Sequence, residues 1–129
     1  MAPMSAERRG LVLVMADVDT EHEDDFNAWY DTEHLPERQR CGGILSARRF
    51  VSDGGDGPRY LTVYELENTD VLSSEEYQAI SPMSEWQQRL MPHLTGVRRH
   101  VFREITRDVP ESEQRRAVRS TDGTEADDE

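Results

Sequence analysis

The sequence predicts an α+β fold in which helices cover one face of a four-stranded antiparallel sheet. Apolar runs of strand length alternate with segments of helical periodicity, and the 129-residue chain is long enough for one core but not two. The predicted order of strand, helix, strand, strand, helix, strand is the ferredoxin-like βαββαβ arrangement. We expect residues 11–106 to form one domain, between a flexible stretch at 1–10 and an acidic, disordered tail at 107–129.

The first predicted strand and helix follow each other at the start of the domain. Residues 11–18 are apolar at nearly every position, which is typical of a buried strand. Thr20 and Glu23 have the spacing of a capping box, so we expect a helix to begin there. We expect Pro36 to end this helix, because a proline ring clashes with the carbonyl group four residues earlier.

A β-hairpin is predicted in the middle of the chain. Residues 44–51 and 60–66 each have the length and composition of a strand. The run at 53–58 between them contains three glycines and a proline, which favour a turn. Gly42 and Gly43 separate this hairpin from the preceding helix.

Helical segments and a last strand complete the predicted domain. Ser73 and Glu76 repeat the capping-box spacing and predict a second helix start. A further helix is expected to open at Ser81 and Pro82, because proline is tolerated at the first helical position. Residues 96–105 predict the last strand.

The first strand is apolar on both of its faces, although two helices can cover only one face of the sheet. Val12, Val14 and Ala16 lie on one side of the strand and Leu11, Leu13 and Met15 on the other, so the side that the helices leave uncovered forms an apolar patch. A second copy of the chain is the simplest cover, since two-fold dimers are the commonest oligomers. We therefore predict a homodimer in which two sheets pack face to face.

The composition limits the partners that the chain is expected to bind and the compartment in which we expect it. The net charge of −12 opposes binding to nucleic acid and to anionic membranes. Cys41 is the single cysteine, so no internal disulfide can form, and an unreactive thiol in a reducing compartment is expected. No run of about 18 apolar residues predicts a membrane span, and the N-terminal segment lacks the features of a signal peptide. We therefore expect a cytoplasmic protein.

One helix face is the most informative feature of the sequence. Phe26, Trp29, Tyr30, Glu33 and His34 share it at helical spacing. The three aromatic residues predict that this face packs inward, and a carboxylate and an imidazole follow them at the helix end. An aromatic face that ends in ionisable groups predicts a pocket wall, although it does not name a reaction.

Three segments resemble the EthD-like families of the dimeric α+β barrel superfamily, named after ethyl tert-butyl ether degradation. They are WYDTEHLPER at 29–38, SARRF at 46–50 and PRYLTVYEL at 58–66. The likeness spans about residues 11–105, nearly all of the predicted domain. The resemblance implies a homodimeric α+β barrel closed by two sheets, with a pocket in each subunit between the helices and their own sheet.

The resemblance also bears on individual residues. His34 matches the histidine that is typical after the Trp-Tyr pair, and Arg49 and Tyr64 match family-typical strand positions. The chain departs from the superfamily in having no histidine in the first strand or the central strands, where several of its cyclases have theirs. This departure argues against a cyclase.

Three residues are predicted to be catalytic. His34 can act as a general base or acid, because imidazole titrates near neutrality; alternatively it is a helix-end histidine that satisfies carbonyl groups. Tyr30, one turn earlier, can bind a substrate oxygen or simply pack in the core. Arg48 and Arg49 point to opposite sides of a strand. We favour Arg49 as the inward guanidinium, which needs an anionic partner from the protein or the substrate.

A second group is predicted to contribute to substrate binding. Its members are Asp17, Trp29, Glu33, Tyr60, Tyr64 and His100. Glu33 or Asp17 would orient His34, whereas the tyrosines would line either the pocket or the dimer interface, and Trp29 also suits core packing. For His100, a histidine with satisfied hydrogen bonds or an edge position is the alternative.

No metal site is predicted. The acidic run that begins at His22 lacks the histidine pair of a zinc helix and the spacing of a calcium loop. His22 and His93 are instead expected to face solvent.

These residues support three hypotheses. The first is a cofactor-independent enzyme that isomerises, cyclises, cleaves or oxidises a hydrophobic oxygenated compound through proton abstraction by His34; the superfamily includes isomerases, cyclases and cofactor-free monooxygenases. The second is a non-catalytic binding or accessory protein that uses the same pocket. The third is a haem-associated enzyme, although no histidine is clearly placed as an axial ligand.

The sequence contains no phosphate loop, dinucleotide fingerprint or nucleophile elbow, and no cofactor is predicted.

Overall fold

Four antiparallel strands form one sheet in the computed structural model, which describes residues 8–106 of the chain. The strands are β1 (Gly10–Val18), β2 (Ile44–Val51), β3 (Tyr60–Leu66) and β4 (Leu94–Arg103). Their order across the sheet is β2–β3–β1–β4, which is the ferredoxin-like order, so the predicted fold class is confirmed. The tail at 107–129 and most of the N-terminal stretch lie outside the described residues.

Three helical regions cover one face of the sheet. The first, α1, spans residues 23–39, and α2 and α3 are Glu75–Ile80 and Glu85–Leu90. Short 3₁₀ turns at Thr20–His22, Thr69–Ser73 and Met91–His93 connect the elements. Among residues 8–106, no helix is long and apolar enough to cross a membrane.

The expectation that Pro36 ends the first helix is wrong. A π turn at Tyr30–His34 joins the α-helical segments Glu23–Trp29 and Leu35–Gln39. Its wide geometry lets the amide of Leu35 donate to the carbonyl of Tyr30, five residues earlier. Pro36 then occupies the first turn of the next segment, where its missing N–H is tolerated. The helix therefore continues far enough to include Arg38.

The predicted capping box at the start of α1 does not form. Asp19 precedes the first 3₁₀ turn and makes no side-chain cap. The carboxylate of Glu23 instead accepts hydrogen bonds from the side chains of Arg59 and Tyr60. These strand residues compete with the helix backbone for the carboxylate, and they hold the start of α1 against β3.

The two later helices begin at different serines from those predicted. Ser74, rather than Ser73, caps α2, and Ser84 caps α3 in place of the predicted start at Ser81 and Pro82. Each capping hydroxyl accepts a hydrogen bond from the backbone amide three residues later. Glu76 does not complete a capping box, because its carboxylate accepts the amide of Gly42 at 2.9 Å.

The turn between α1 and β2 requires glycine at position 43. Gly43 has a φ of +90°, in the left-handed region that favours glycine. A Cβ atom at this position would lie 2.5 Å from Cγ2 of Val71, which is shorter than any van der Waals contact. The glycine therefore lets the chain turn tightly enough for β2 to pack beside β3.

The two faces of the sheet differ in their cover. On the helix side, Val12 and Tyr64 are buried. On the opposite side, Leu13 is only partly buried, and Phe50 and Phe102 are 44% and 50% exposed. The apolar open face predicted from the first strand is therefore present in the subunit.

The buried residues form two clusters under the helices. One contains Val12, Cys41, Ile44, Ala47, Tyr64, Leu66 and Val71. The other contains Phe26, Trp29, Tyr30, Tyr60 and Leu90. Burial raises the pKa of the Cys41 thiol, which agrees with the expectation that this cysteine is unreactive.

Candidate functional site

A cavity of about 450 Å³ lies between the helices and the sheet, with walls from both core clusters. Its floor is formed by β1, β3 and β4, and its apolar walls include Val14, Ala16, Phe26, Leu72 and Leu94. Exposed lining residues mark its mouth; they are Ser81, Met91, Val97 and Arg99. This volume is in the range of small-molecule binding sites.

His34 lies on the wall of this cavity, in the π turn of α1. Its ring stacks on Trp29 with centroids 4.3 Å apart and meets the edge of Tyr30 at 5.2 Å. Burial, together with the positive charge of Arg38, lowers the pKa of His34 to about 3. The imidazole is therefore neutral at physiological pH, so one of its ring nitrogens can accept a hydrogen bond and the other can donate one.

Tyr64 is the second polar group of the cavity wall. Its side chain is buried, and its hydroxyl makes no hydrogen bond within the described residues. Burial, and then the neighbouring Tyr30, raise the pKa of Tyr64. The hydroxyl thus stays protonated at physiological pH.

Arg38 is a lining residue that the sequence analysis missed. It is 8% exposed, its Nη1 atom lies 2.9 Å from Oε1 of Glu37, and it faces the ring of Tyr77. The signal was present, because Tyr30, His34 and Arg38 recur every four residues and share one helix face. The assumption that Pro36 stops the helix hid it.

Trp29 lines the cavity, and the carboxylate of Glu33 accepts a hydrogen bond from its indole ring. The indole Nε1 of Trp29 donates to Oε2 of Glu33 at 2.9 Å, and the hydroxyl of Ser84 donates to the same oxygen. Neither Glu33 nor Asp17, the predicted partners of His34, hydrogen-bonds to its imidazole. Asp17 instead accepts the backbone amide of Arg59 at 2.8 Å.

Arg49 is the inward member of the predicted pair, but it does not line the cavity. Its side chain is 15% exposed, and its Nη2 donates to Oδ1 of Asn27 at 2.9 Å. Its Nη1 lies 3.6 Å from Oδ1 of Asp31, and its guanidinium stands 4.2 Å from the ring centroid of Tyr30. Its buried Nε makes no hydrogen bond within the described residues. The anionic partner expected for Arg49 is thus a protein carboxylate.

Tyr60 belongs to the same polar group as Arg49, outside the cavity. Its hydroxyl donates to Glu23 and accepts from Nδ2 of Asn27 at 3.3 Å. The hydrogen bonds from Tyr60 and Arg59 lower the pKa of Glu23. We refer to Glu23, Asn27, Arg49, Arg59 and Tyr60 as the bracing network.

Histidines outside α1 occupy two other places. His100 is exposed and pairs with Leu13, which puts it on the open face of the sheet, away from the cavity. His22 and His93, expected to face solvent, are only partly exposed: their rings stack with centroids 3.5 Å apart, and each side chain is about one third exposed.

Solved structures with the same fold include proteins of several kinds. A dimeric ferredoxin-like protein from an uncultured marine organism gives a TM-score of 0.59 at 12% identity, over 83% of this chain and 96% of that chain. An EthD family protein from Bacillus halodurans gives 0.54 at 12% identity, over 76% and 99%. A monooxygenase from the gene ActVA-Orf6 of Streptomyces coelicolor, solved with nanaomycin D, gives 0.56 at 16% identity, over 82% and 95%.

These similarities establish a class of fold. The chain has the ferredoxin-like fold found in dimeric α+β barrel proteins, and the resemblance to EthD-like proteins is confirmed at the level of the fold. No protein-family profile matches the sequence. No curated protein matches it either.

Proposed function

We propose that the chain is a cofactor-independent enzyme that moves protons on a hydrophobic, oxygenated small molecule bound in the cavity. The observation behind this proposal is the presence of a neutral imidazole, His34, and a tyrosine, Tyr64, whose hydroxyl has no geometric hydrogen-bond partner among the described residues, on a mostly apolar wall. Buried polar groups are normally hydrogen-bonded, so an open one at a cavity suits a ligand oxygen.

The chemistry assigns one role to each group. A neutral His34 nitrogen accepts a proton from an acidic C–H or O–H bond of the substrate, which leaves the electron pair on the substrate as an enolate or phenolate. Tyr64 donates a hydrogen bond to that oxyanion, and the guanidinium of Arg38 stabilises its charge. Return of the proton at another carbon completes an isomerisation, whereas a lyase, cyclase or monooxygenase would use the same anion.

One observation favours a non-catalytic binding or accessory protein instead. A histidine whose conjugate acid has a pKa of about 3 is a weak base in the empty cavity. Negative charge that develops on a bound compound would raise the pKa of His34. The enzyme hypothesis therefore requires a substrate that becomes anionic beside the imidazole, and the binding hypothesis does not.

The test is hydrogen–deuterium exchange, followed by NMR, in a panel of phenols and enolisable ketones. We expect the wild-type chain to accelerate exchange at an acidic C–H bond in at least one compound, and His34→Gln to lose the acceleration. Binding without exchange would favour the accessory alternative. Absence of binding by any compound would contradict both the enzyme hypothesis and the binding hypothesis. A Soret band on titration with haem would support the third hypothesis.

We also propose that the chain acts as a homodimer, formed through the open face of the sheet. Leu13 lies in the middle of this face, and the exposed side chains of Phe50 and Phe102 extend the apolar surface around it. A dimeric ferredoxin-like protein among the solved structures supports the proposal. Burial of such a patch favours association.

Sedimentation velocity tests the dimer directly. Leu13→Glu places a charge in the centre of the open face, so we expect the variant to sediment as a monomer. Met83→Glu is the matched control, because Met83 is 48% exposed between α2 and α3 on the helix side and should leave the dimer unchanged. A wild-type chain that stays monomeric at micromolar concentration would contradict the proposal.

A further inference from the structure

Asp19, His22 and His93 meet at the end of the sheet where β1 leads into α1. The backbone fixes this meeting, because the amide of Asp19 donates to the carbonyl of His93 at 3.0 Å, and the amide of His22 donates to the carbonyl of Asp19 at 2.9 Å. Both histidines lie in 3₁₀ turns, one before α1 and one before β4. The three side chains are thus held together by residues far apart in the sequence.

The side-chain atoms of this cluster converge on one point. Oδ2 of Asp19 lies 3.2 Å from Nδ1 of His93 and 3.9 Å from Nδ1 of His22. One ligand atom from each of the three residues lies within 4.8 Å of the other two. Nδ1 of His22 is buried and makes no hydrogen bond to the described residues. A buried ring nitrogen without a partner is costly, so an additional group at this point would stabilise it.

We propose that Asp19, His22 and His93 form a binding site for a divalent transition-metal ion. Two imidazole nitrogens and one carboxylate oxygen suit Zn²⁺ or Cu²⁺, whereas Ca²⁺ and Mg²⁺ prefer an all-oxygen set. Three protein ligands leave at least one coordination position for water or for a donor atom of another molecule.

The stacked rings set one geometric requirement. An imidazole nitrogen donates in the plane of its ring, and the two planes lie 13° from parallel. The rings must therefore splay before both lone pairs reach one ion. Asp19 and both histidines are partly open to solvent, with side chains 53%, 35% and 34% exposed, so the rings are not enclosed by the core.

The site lies outside the cavity, and its effect would be structural. A bound ion would clamp the turn before α1 to the turn before β4. Met91 and Leu94, on either side of His93, both line the cavity, so the clamp would also fix one edge of the cavity mouth. Binding to the folded state alone raises the melting temperature.

Calorimetric titration of the EDTA-treated full chain with ZnCl₂ or CuCl₂ tests the proposal. We expect one ion per chain, and an affinity at least tenfold weaker in His22→Ala and in Asp19→Asn. The metal should raise the melting temperature of the wild type but not of these variants. Asp53→Asn is the matched control, because Asp53 is an exposed carboxylate in the turn between β2 and β3, away from the three ligands.

Histidine ring NMR of the wild-type chain makes the test independent of how the variants fold. Zn²⁺ should shift the ring signals of His22 and His93 together and leave those of His100 in place. Absence of saturable binding, binding of equal strength in His22→Ala, or signals of His22 and His93 that do not move would each overturn the proposal.

Discussion

Two groups of polar side chains, each with a tyrosine from β3, an arginine and residues of α1, differ in their hydrogen bonds. The bracing network joins Tyr60 and Arg49 to carboxylates and an amide from the helix. The cavity wall offers Tyr64, Arg38 and His34, of which the Tyr64 hydroxyl has no hydrogen bond within the described residues. Every member of the first group is hydrogen-bonded to another member, although Nε of Arg49 has no partner among the described residues, whereas in the second group no hydrogen bond joins Tyr64, Arg38 and His34.

This difference separates groups that stabilise the fold from groups that can act on a substrate. A buried tyrosine or arginine in a complete network contributes to the free energy of folding, and its removal leaves its partners unsatisfied. A buried polar group without a partner costs stability unless something binds to it. Residue type and burial alone do not distinguish the two groups, but their hydrogen-bond partners do.

Replacement of His34 should have the largest effect, and the effect should be on activity. His34→Gln is expected to lower turnover of an identified substrate by about 10²–10⁴-fold, the usual contribution of a general base. Its melting temperature at neutral pH should stay close to that of the wild type, because no described residue hydrogen-bonds to this imidazole. Steady-state kinetics and thermal unfolding measure the two effects, and full turnover in the variant would remove His34 from the mechanism.

Replacement of Arg49 should affect stability instead. Arg49→Ala removes a charged hydrogen bond and the aromatic contacts of a largely buried guanidinium, at a cost of about 3 kcal/mol in the free energy of unfolding. Urea unfolding measures this cost. Arg89→Ala, at an exposed position of α3 on the helix side, should change it by less than about 0.5 kcal/mol. A stable but inactive Arg49→Ala would instead place Arg49 in the site.

The low pKa of His34 predicts how stability changes with pH. The unfolded chain binds a proton at this histidine near pH 6.5, whereas the folded protein binds it only near pH 3. The contribution of neutral His34 to stability is therefore complete above pH 6.5 and is lost progressively as the pH falls towards 3.

Urea unfolding at two pH values measures this contribution. Between pH 7 and pH 5 the wild type should lose about 2 kcal/mol more than His34→Gln does, because other titrating groups cancel in the comparison. Equal losses in the two proteins would show that the imidazole is not held neutral.

The sequence predicted the fold better than it predicted the site, and the reason is physical. The strand order follows from apolar runs and turns, which are local, and His34 and Trp29 followed from spacing within one helix. The different roles of Tyr60 and Tyr64 could not be predicted from spacing. Both side chains lie on the same side of β3, and they differ only in the residues of α1 that they meet. Asp19, His22 and His93 could not be grouped either, since two distant turns bring them together.

The two tyrosines of β3 offer a matched pair for the smallest predicted effect. Tyr60→Phe removes a hydroxyl that bonds Glu23 and Asn27, so the free energy of unfolding should fall by about 1–2 kcal/mol with little change in ligand affinity. Tyr64→Phe removes an unpartnered hydroxyl, so stability should stay the same or rise by up to about 1 kcal/mol. Its affinity for an oxygenated ligand, or its turnover, should fall about tenfold. Because the substitution is identical, only the surroundings of each ring can produce opposite results; the same stability loss in both variants would mean that Tyr64 is also part of an internal network.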